Sequence, residues 1–312
     1  MKKALIISDG KPGHVNQSIA LANHLQIDYD EINITFKSLV SKALSYIFDW
    51  LFIYNSKIFN EPLTFNTNNY DVIISTGSST FYANKVIKKN LNIKNIAILY
   101  PKGYRLNYDY VIIPKYDKTF AKKNIIKTPI NICNSDPQWF SNKATQFTNN
   151  IHKPLKNSIG IIIGGPNEKK TVDILTLEKQ LDLIFLQNKD SEIWITTSRR
   201  TTLEIENLLN NYEFDYKLKF SQNNYNPIPA FIELCKNLYI TDDSTSMISE
   251  AVSYGNANVY IIPLKAIKKK DKFSKFCKIL VENNSISFLS KNPKPANNKI
   301  NLNSIFKSNI SI

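Results

Sequence analysis

The sequence predicts an α/β fold of two Rossmann-like domains with mostly parallel sheets. Three observations carry that expectation. Short β-branched runs such as Lys3–Ile7 and Ser158–Ile163 read as buried parallel strands, and stretches at helical spacing follow them. The alternation restarts after a polar, Asn-rich stretch over 134–157 that holds Pro137 and Pro154. Only eight glycines occur in 312 residues, and nearly all fall at a strand's carboxyl end or a helix's edge. Open α/β sheets bind ligands there.

In the first domain, Lys3–Ile7 leads into Ser8-Asp9-Gly10-Lys11-Pro12-Gly13-His14, and a helix follows to about Leu25. The loop has neither Walker A nor GxGxxG spacing. Its glycines let backbone approach a ligand, so Gly10, Lys11 and Gly13 are candidate ligand-side residues. His14 and Asp9 are the candidate catalytic bases. Residues 36–59 are apolar, but Lys37, Lys42, Asp49 and Lys57 interrupt them, which argues against a membrane span. An amphipathic helix is expected, packed in the core or else lying at an interface. The strand Asp71–Ser75 ends in Thr76-Gly77-Ser78-Ser79-Thr80, a hydroxyl-rich helix start that adds Thr76 and Gly77 to these candidates. Strands at Ile96–Leu99 and Tyr110–Ile113 follow. Asp28-Tyr29-Asp30 has the spacing of a metal-binding DxD but precedes a strand in the wrong kind of domain. No metal is expected.

The boundary is placed near 150, giving domains 1–150 and 151–290 and a tail, 291–312, that returns to the first domain. In the second domain, Ser158–Ile163 runs into Gly164-Gly165-Pro166-Asn167, and a helix extends to about Asn188. Glu192–Thr196 ends in Thr197-Ser198-Arg199-Arg200. Adjacent arginines after a strand suggest a phosphate clamp, because guanidinium forks match phosphate oxygens. Asn226-Pro227 introduces another helix.

The stretch 237–264 is the most informative. Leu238–Thr241 is a strand, Asp242 to Thr245 are residues that start helices, and Gly255 stops the helix. Ser244, Thr245, Ser246 and Met247 form a hydroxyl-rich first turn, which the helix dipole makes an anion site. Glu250 lies one turn beyond Ser246 on the same side, where a carboxylate can accept from a ribose diol. The alternative is an ordinary capped crossover with a surface Glu.

Net charge is +14, which fits a partner with phosphates or an anionic membrane. Part of it reflects a Lys- and Asn-rich composition. Residues 265–278 carry seven lysines. No recognition helix or RNP-like aromatic pair supports nucleic-acid binding. Three dispersed cysteines form no metal pattern and suit a reducing compartment. The apolar run Ala4–Ile7 after Met1-Lys2-Lys3 is too short for a secretory leader. A cytoplasmic protein is expected, free or peripheral on the membrane's inner face.

The motifs SDGKPGHVNQSIALA, LYPKGYRLNYDYVIIPKYD, IIIGGPN, TTSRR, NPIPAF and TDDSTSMISEAVSYG, in this order, resemble a bacterial GT-B glycosyltransferase family. That family is related to the plant "elongated mitochondria" fission protein, and the resemblance covers nearly the whole chain. It implies two domains facing across a cleft. It also implies sugar transfer from a nucleotide-sugar to a glycan or lipid-linked acceptor, with no cofactor. A looser likeness is to the N-acetylglucosaminyltransferase that makes lipid II, through Gly10, Gly13, His14, Ala20 and Ala22, and through Gly164, Gly165 and Glu250. It implies an acceptor role for the first loop and donor binding for the second domain, where Pro166, Ser198, Arg199, Arg200 and Asn226 would join the turn at 244–247. The Asp-Asp-Ser-Thr-Ser run replaces that enzyme's basic turn.

Overall fold

The computed structural model describes residues 2–63, 69–267 and 272–312. The chain divides into two units, the first Met1–Asn134 with Asn301–Ile312 and the second Ser135–Ile300.

The first unit runs β1 (Lys3–Ser8), α1 (Pro12–Leu25), β2 (Asp28–Asn33), α2 (Leu39–Trp50), β3 (Val72–Thr76), α3 (Phe81–Leu91), β4 (Lys94–Ile98), β5 (Tyr110–Pro114) and β6 (Ile125–Thr128). The strands form one parallel sheet in the order β2-β1-β3-β4-β5-β6. From β1 the chain steps out to β2 and then returns past β1 to β3. The order therefore reverses between β1 and β3, the switch point where such sheets open a crevice. β1 and β3 are buried along their whole described length apart from Lys3, as β-branched strands covered on both faces should be.

The second unit runs α4 (Pro137–Asn150), β7 (Ser158–Ile163), β8 (Lys170–Thr171), α5 (Ile174–Gln187), β9 (Glu192–Thr197), α6 (Leu203–Leu208), β10 (Tyr216–Leu218), α7 (Ile228–Leu234), β11 (Asn237–Thr241), α8 (Thr245–Ser253), β12 (Asn258–Ile262), β13 (Lys265–Ala266), α9 (Lys272–Glu282) and β14 (Ser287–Phe288). Its parallel sheet has the order β10-β9-β7-β11-β12-β14, with the reversal between β7 and β11. β8 and β13 form a separate antiparallel pair. The expected fold class, two Rossmann-like units with mostly parallel sheets, is the one observed.

Several local expectations are corrected. The boundary lies at Asn134/Ser135 rather than near 150, because the polar stretch is a helix belonging to the second unit. Asp136 caps α4 through Gln138 N at 3.1 Å, Pro137 opens it, and Phe140, Ala144 and Phe147 form its buried stripe. Phe140 stacks on Tyr254 with centroids 4.4 Å apart, and Phe147 lies 5.2 Å from Trp194. The tail also divides. Residues up to Ile300 hydrogen-bond within the second unit, through Val259 N to Ala296 O and Ile300 N to Val252 O. α10 (Leu302–Asn309) packs in the first, with Phe306 5.4 Å from the His24 ring. Asp28-Tyr29-Asp30 is β2 itself, and Asp30 pairs with Lys3 at 2.8 Å.

The greasy stretch divides: Ile58 and Phe59 are in the core, with Phe36, Tyr46, Phe48 and Tyr54 packed half-buried against it. α2 buries Ser45 and Asp49 and leaves Leu39, Val40, Ile47 and Trp50 in water. In the lysine-rich stretch, Phe273 and Phe276 are buried in α9 and Ile267 is exposed, while Lys268 to Asp271 lie outside the described residues.

Candidate functional site

In the first unit the switch-point loops are Asp9–Lys11 after β1 and Gly77–Thr80 after β3. Gly10 N donates to Ser8 Oγ at 3.0 Å and Lys11 N to Asp9 Oδ1 at 3.3 Å. These bonds fix the loop so that the Asp9 carboxylate turns inward, with only 5% of its side chain exposed. His14, on the first turn of α1, places Nδ1 3.1 Å from both Asp9 oxygens. An ionised carboxylate only accepts, so Nδ1 carries a proton, and in the neutral ring Nε2 keeps its lone pair. Nε2 makes no hydrogen bond among the described residues. Lys11 Nζ lies 3.5 Å from Asp9 Oδ2.

Gly77 shapes the other wall. Its φ of +93° disfavours any side chain, and a Cβ there would lie 2.4 Å from the imidazole ring. The ring therefore rests directly on backbone. Asp9 and His14, alternatives in the sequence reading, are joined in one orienting pair. Thr76 is buried, and its hydroxyl bonds Ser18 Oγ at 2.8 Å, so it offers nothing to a ligand. Gly10 and Gly13 both have open space where a Cβ would stand.

In the second unit, three loops meet at the carboxyl ends of the adjacent strands β9, β7 and β11. Their hub is Asp243, whose side chain is fully buried. Its carboxylate accepts from Thr241 Oγ1 at 2.7 Å and Gly165 N at 3.2 Å, and it pairs with the Arg200 guanidinium. Gly164 N donates to Thr241 Oγ1 at 2.7 Å. Thr201 Oγ1 donates to Gly164 O at 2.7 Å and accepts from Ser198 N at 2.9 Å, which ties the arginine turn to the glycine turn. The two glycines are required by packing. A Cβ at Gly164 would lie 2.0 Å from the Asp243 carboxylate, and one at Gly165 2.0 Å from Arg200 O. Beside this hub, buried Asp242 pairs with Lys170 Nζ at 2.5 Å and accepts from Leu264 N at 2.8 Å. Burial raises the Asp242 carboxyl against the pull of Lys170.

This arrangement corrects the expected cradle. The amides of Gly164 and Gly165 and the Arg200 fork are engaged by the chain's own groups, and Asp243 stands where a phosphate was expected. What faces outward is different. Arg199 and Ser246 are exposed, and Ser244, Met247 and Pro166 are half-buried. Ser244 caps α8 through Met247 N at 3.4 Å, and Thr245 is buried. Asn226 is exposed with its Oδ1 accepting from Ile228 N at 3.1 Å, the start of α7. Glu250 is half-buried, its carboxyl has no hydrogen bond or ion pair among the described residues, and burial pushes that group up to about 7. The sequence reading missed Asp243, Thr241, Thr201 and Lys170. One signal was present: a cap needs one oxygen, and here two acids precede a serine that already caps.

The mitochondrial fission ELM1 family model matches residues 12–305. The chain belongs to that family.

An uncharacterized protein of Rickettsia prowazekii is 26% identical to this ELM1-family chain over 352 residues, covering 98% of each. Among solved structures, a UDP-N-acetylglucosamine 2-epimerase so named from Listeria monocytogenes is 9% identical with a TM-score of 0.50, over 99% of this chain and 87% of that one. The UDP-GlcNAc 2-epimerase of Methanocaldococcus jannaschii is 13% identical with a TM-score of 0.49, over 99% and 98%. The Listeria likeness shows a shared fold. Among the described residues, no group of three or more His, Cys, Asp or Glu is placed to hold a metal ion.

Proposed function

We propose that this ELM1-family chain is a metal-independent glycosyltransferase that moves a sugar from a nucleotide-sugar to a cell-envelope glycan or lipid-linked acceptor. The observation that carries this reading is the Asp9–His14 pair: a nearly buried carboxylate orients an imidazole whose other nitrogen is unengaged. Nucleophile activation needs that geometry. His14 Nε2 takes the proton of the acceptor hydroxyl, the freed oxygen bonds the anomeric carbon, and the bond from that carbon to the diphosphate oxygen breaks. Asp9 stabilises the imidazolium that forms. Arg199 and the first turn of α8 at Ser244–Ser246 meet the negative charge that develops on the leaving diphosphate. Glu250 accepts from the ribose diol. Asp243, Arg200, Gly164 and Gly165 form the rigid floor beneath. The printed name of the Listeria neighbour, an enzyme of a UDP-sugar, is in keeping with a nucleotide-sugar ligand. In this reading the protein works in the cytoplasm.

The test is thermal shift and donor hydrolysis with UDP-, GDP-, ADP- and CMP-sugars. One nucleotide should raise the melting temperature of wild type but not of Glu250→Ala, and His14→Ala should keep the shift while losing transfer. A second reading is a scaffold of the same fold without catalysis. Its support is Asp243, which already fills the amide and guanidinium site. Absence of a shift with every nucleotide selects the scaffold.

A further inference from the structure

The α2 segment is attached to its unit through buried Ser45 and Asp49, with Tyr46 and Phe48 packed half-buried against the core beside them. Ser45 Oγ meets Tyr104 OH at 2.7 Å, Asp49 Oδ1 meets buried Lys85 Nζ at 2.7 Å, and Asp49 Oδ2 accepts from Arg105 N at 2.7 Å. These bonds fix which face of the helix is attached to its unit. The face left outside carries Leu39, Val40, Leu44, Ile47 and Trp50, the last 72% exposed. Phe52 continues it, 68% exposed, with its backbone at φ +61°. A bulky side chain in the left-handed region is a strained choice. Here it sets the ring 3.5 Å from the Arg105 guanidinium.

Charge around this face is mostly of one sign. Asp49 is the only acid between residues 36 and 59, and it is neutralised inside by Lys85. Glu61, near the start of α2, is taken up by Thr35 N and Oγ1 at 2.7 and 2.9 Å. Lys37 and Lys57 flank the face, exposed, and Lys102 is exposed three residues before Arg105. A like-charged rim on a +14 chain opposes a second copy and complements an anionic surface. Exposed apolar side chains, an outward Trp and flanking lysines are what an interfacial helix presents to lipid headgroups. Among the described residues no helix is long and apolar enough to cross a membrane.

We propose that the outer face of α2, with Phe52, docks the protein onto an anionic phospholipid bilayer, lying in the interface plane. The proposal is independent of the sugar-transfer reading, because the assay contains no nucleotide and its failure leaves that reading untouched.

The experiment uses the full chain with vesicles of phosphatidylcholine alone and with added phosphatidylglycerol. Wild type should co-sediment with the anionic vesicles about tenfold more tightly than with neutral ones, less so at high salt, and its fluorescence should shift to the blue. Trp50→Phe should keep binding and lose most of that shift. The pair Ile47→Glu with Trp50→Glu, at 53% and 72% exposed positions, should melt as wild type does and bind about tenfold or more weakly. Unchanged binding by the pair, binding to neither vesicle, or self-association that the pair abolishes overturns the proposal.

Discussion

Replacing Glu250 by glutamine should stabilise the protein above pH 7 and change little near pH 4.5. The carboxyl has no hydrogen bond or ion pair among the described residues, and burial pushes it from 4.5 up to about 7. Between those values the folded chain holds a proton that the unfolded chain has released. Stability therefore falls as pH rises from 4.5 to 7 and levels off above. At 1.36 kcal/mol per tenfold, the gap between 4.5 and about 7 amounts to roughly 3 kcal/mol for a fully buried group. Glu250 retains part of its surface in water, so the cost is about 1–2 kcal/mol. Glutamine carries no charge to desolvate and has nearly the same shape. Urea unfolding of both proteins at pH 4.5 and pH 8 measures the difference, and other carboxylates cancel because both proteins carry them. A stability difference that is the same at both pH values, or a glutamine variant weaker at pH 8, refutes the reasoning. In the proposed reading the same burial has a functional side, since a ribose diol donates best to the ionised carboxylate. Nucleotide affinity should then rise between pH 6 and 8 in wild type and stay flat in the variant.

Asp9→Asn should keep the fold and any nucleotide-induced thermal shift, while transfer falls about 10²-fold or more because the imidazole loses its orienting acceptor. Gly13→Ala should be neutral or stabilising by about 0.5–1 kcal/mol in urea unfolding, because a Cβ there meets open space on a helix. A fall in transfer in that stable variant would mark close approach of an acceptor. Gly77→Ala should destabilise by about 1–3 kcal/mol and shift the His14 ring resonances, since its Cβ would enter the imidazole. Asp243→Ala should cost about 2 kcal/mol, read as a lowered urea midpoint, because Gly165 N–H and Thr241 lose their acceptor. Arg200 is discounted from that figure, since its exposed side chain can turn to water.

The parallel core was legible because its strands are buried on both faces, as the runs ALIIS, VIIST and GIII show without alternation. Chemistry at the strand ends was legible in kind, since few glycines were available and they stood there. Its detail was not. Gly164 and Gly165 read alike whether they admit a phosphate or a buried carboxylate, because both need a missing Cβ. Only the placement of Asp243 separates the two. The stretch holding α4 was read only as polar and Asn-rich because its polar face dominates the composition, although Asp136-Pro137 and the spacing of Phe140, Ala144 and Phe147 mark a helix. For α2 the periodicity was correct and left core and interface open. Periodicity locates an apolar face but does not say what covers it; Ser45 and Asp49 with Tyr46 and Phe48 are on the attached side, and Leu39, Val40, Ile47 and Trp50 are exposed.

Both units place loops at the same kind of switch point, yet they fill them differently. In the first, the orienting carboxylate of Asp9 leaves a basic nitrogen unengaged. In the second, the carboxylate of Asp243 draws an arginine, a glycine amide and a threonine onto itself. A group that is to move a proton must keep one side open, whereas a group that is to hold a turn rigid is best enclosed. On that physical ground the proposed reading assigns proton transfer to the first unit and binding above a rigid floor to the second. An Asp9→Asn protein that still binds nucleotide, beside a Glu250→Ala protein that does not, would separate the two roles. Loss of both functions in either variant would mean that they are not divided in this way.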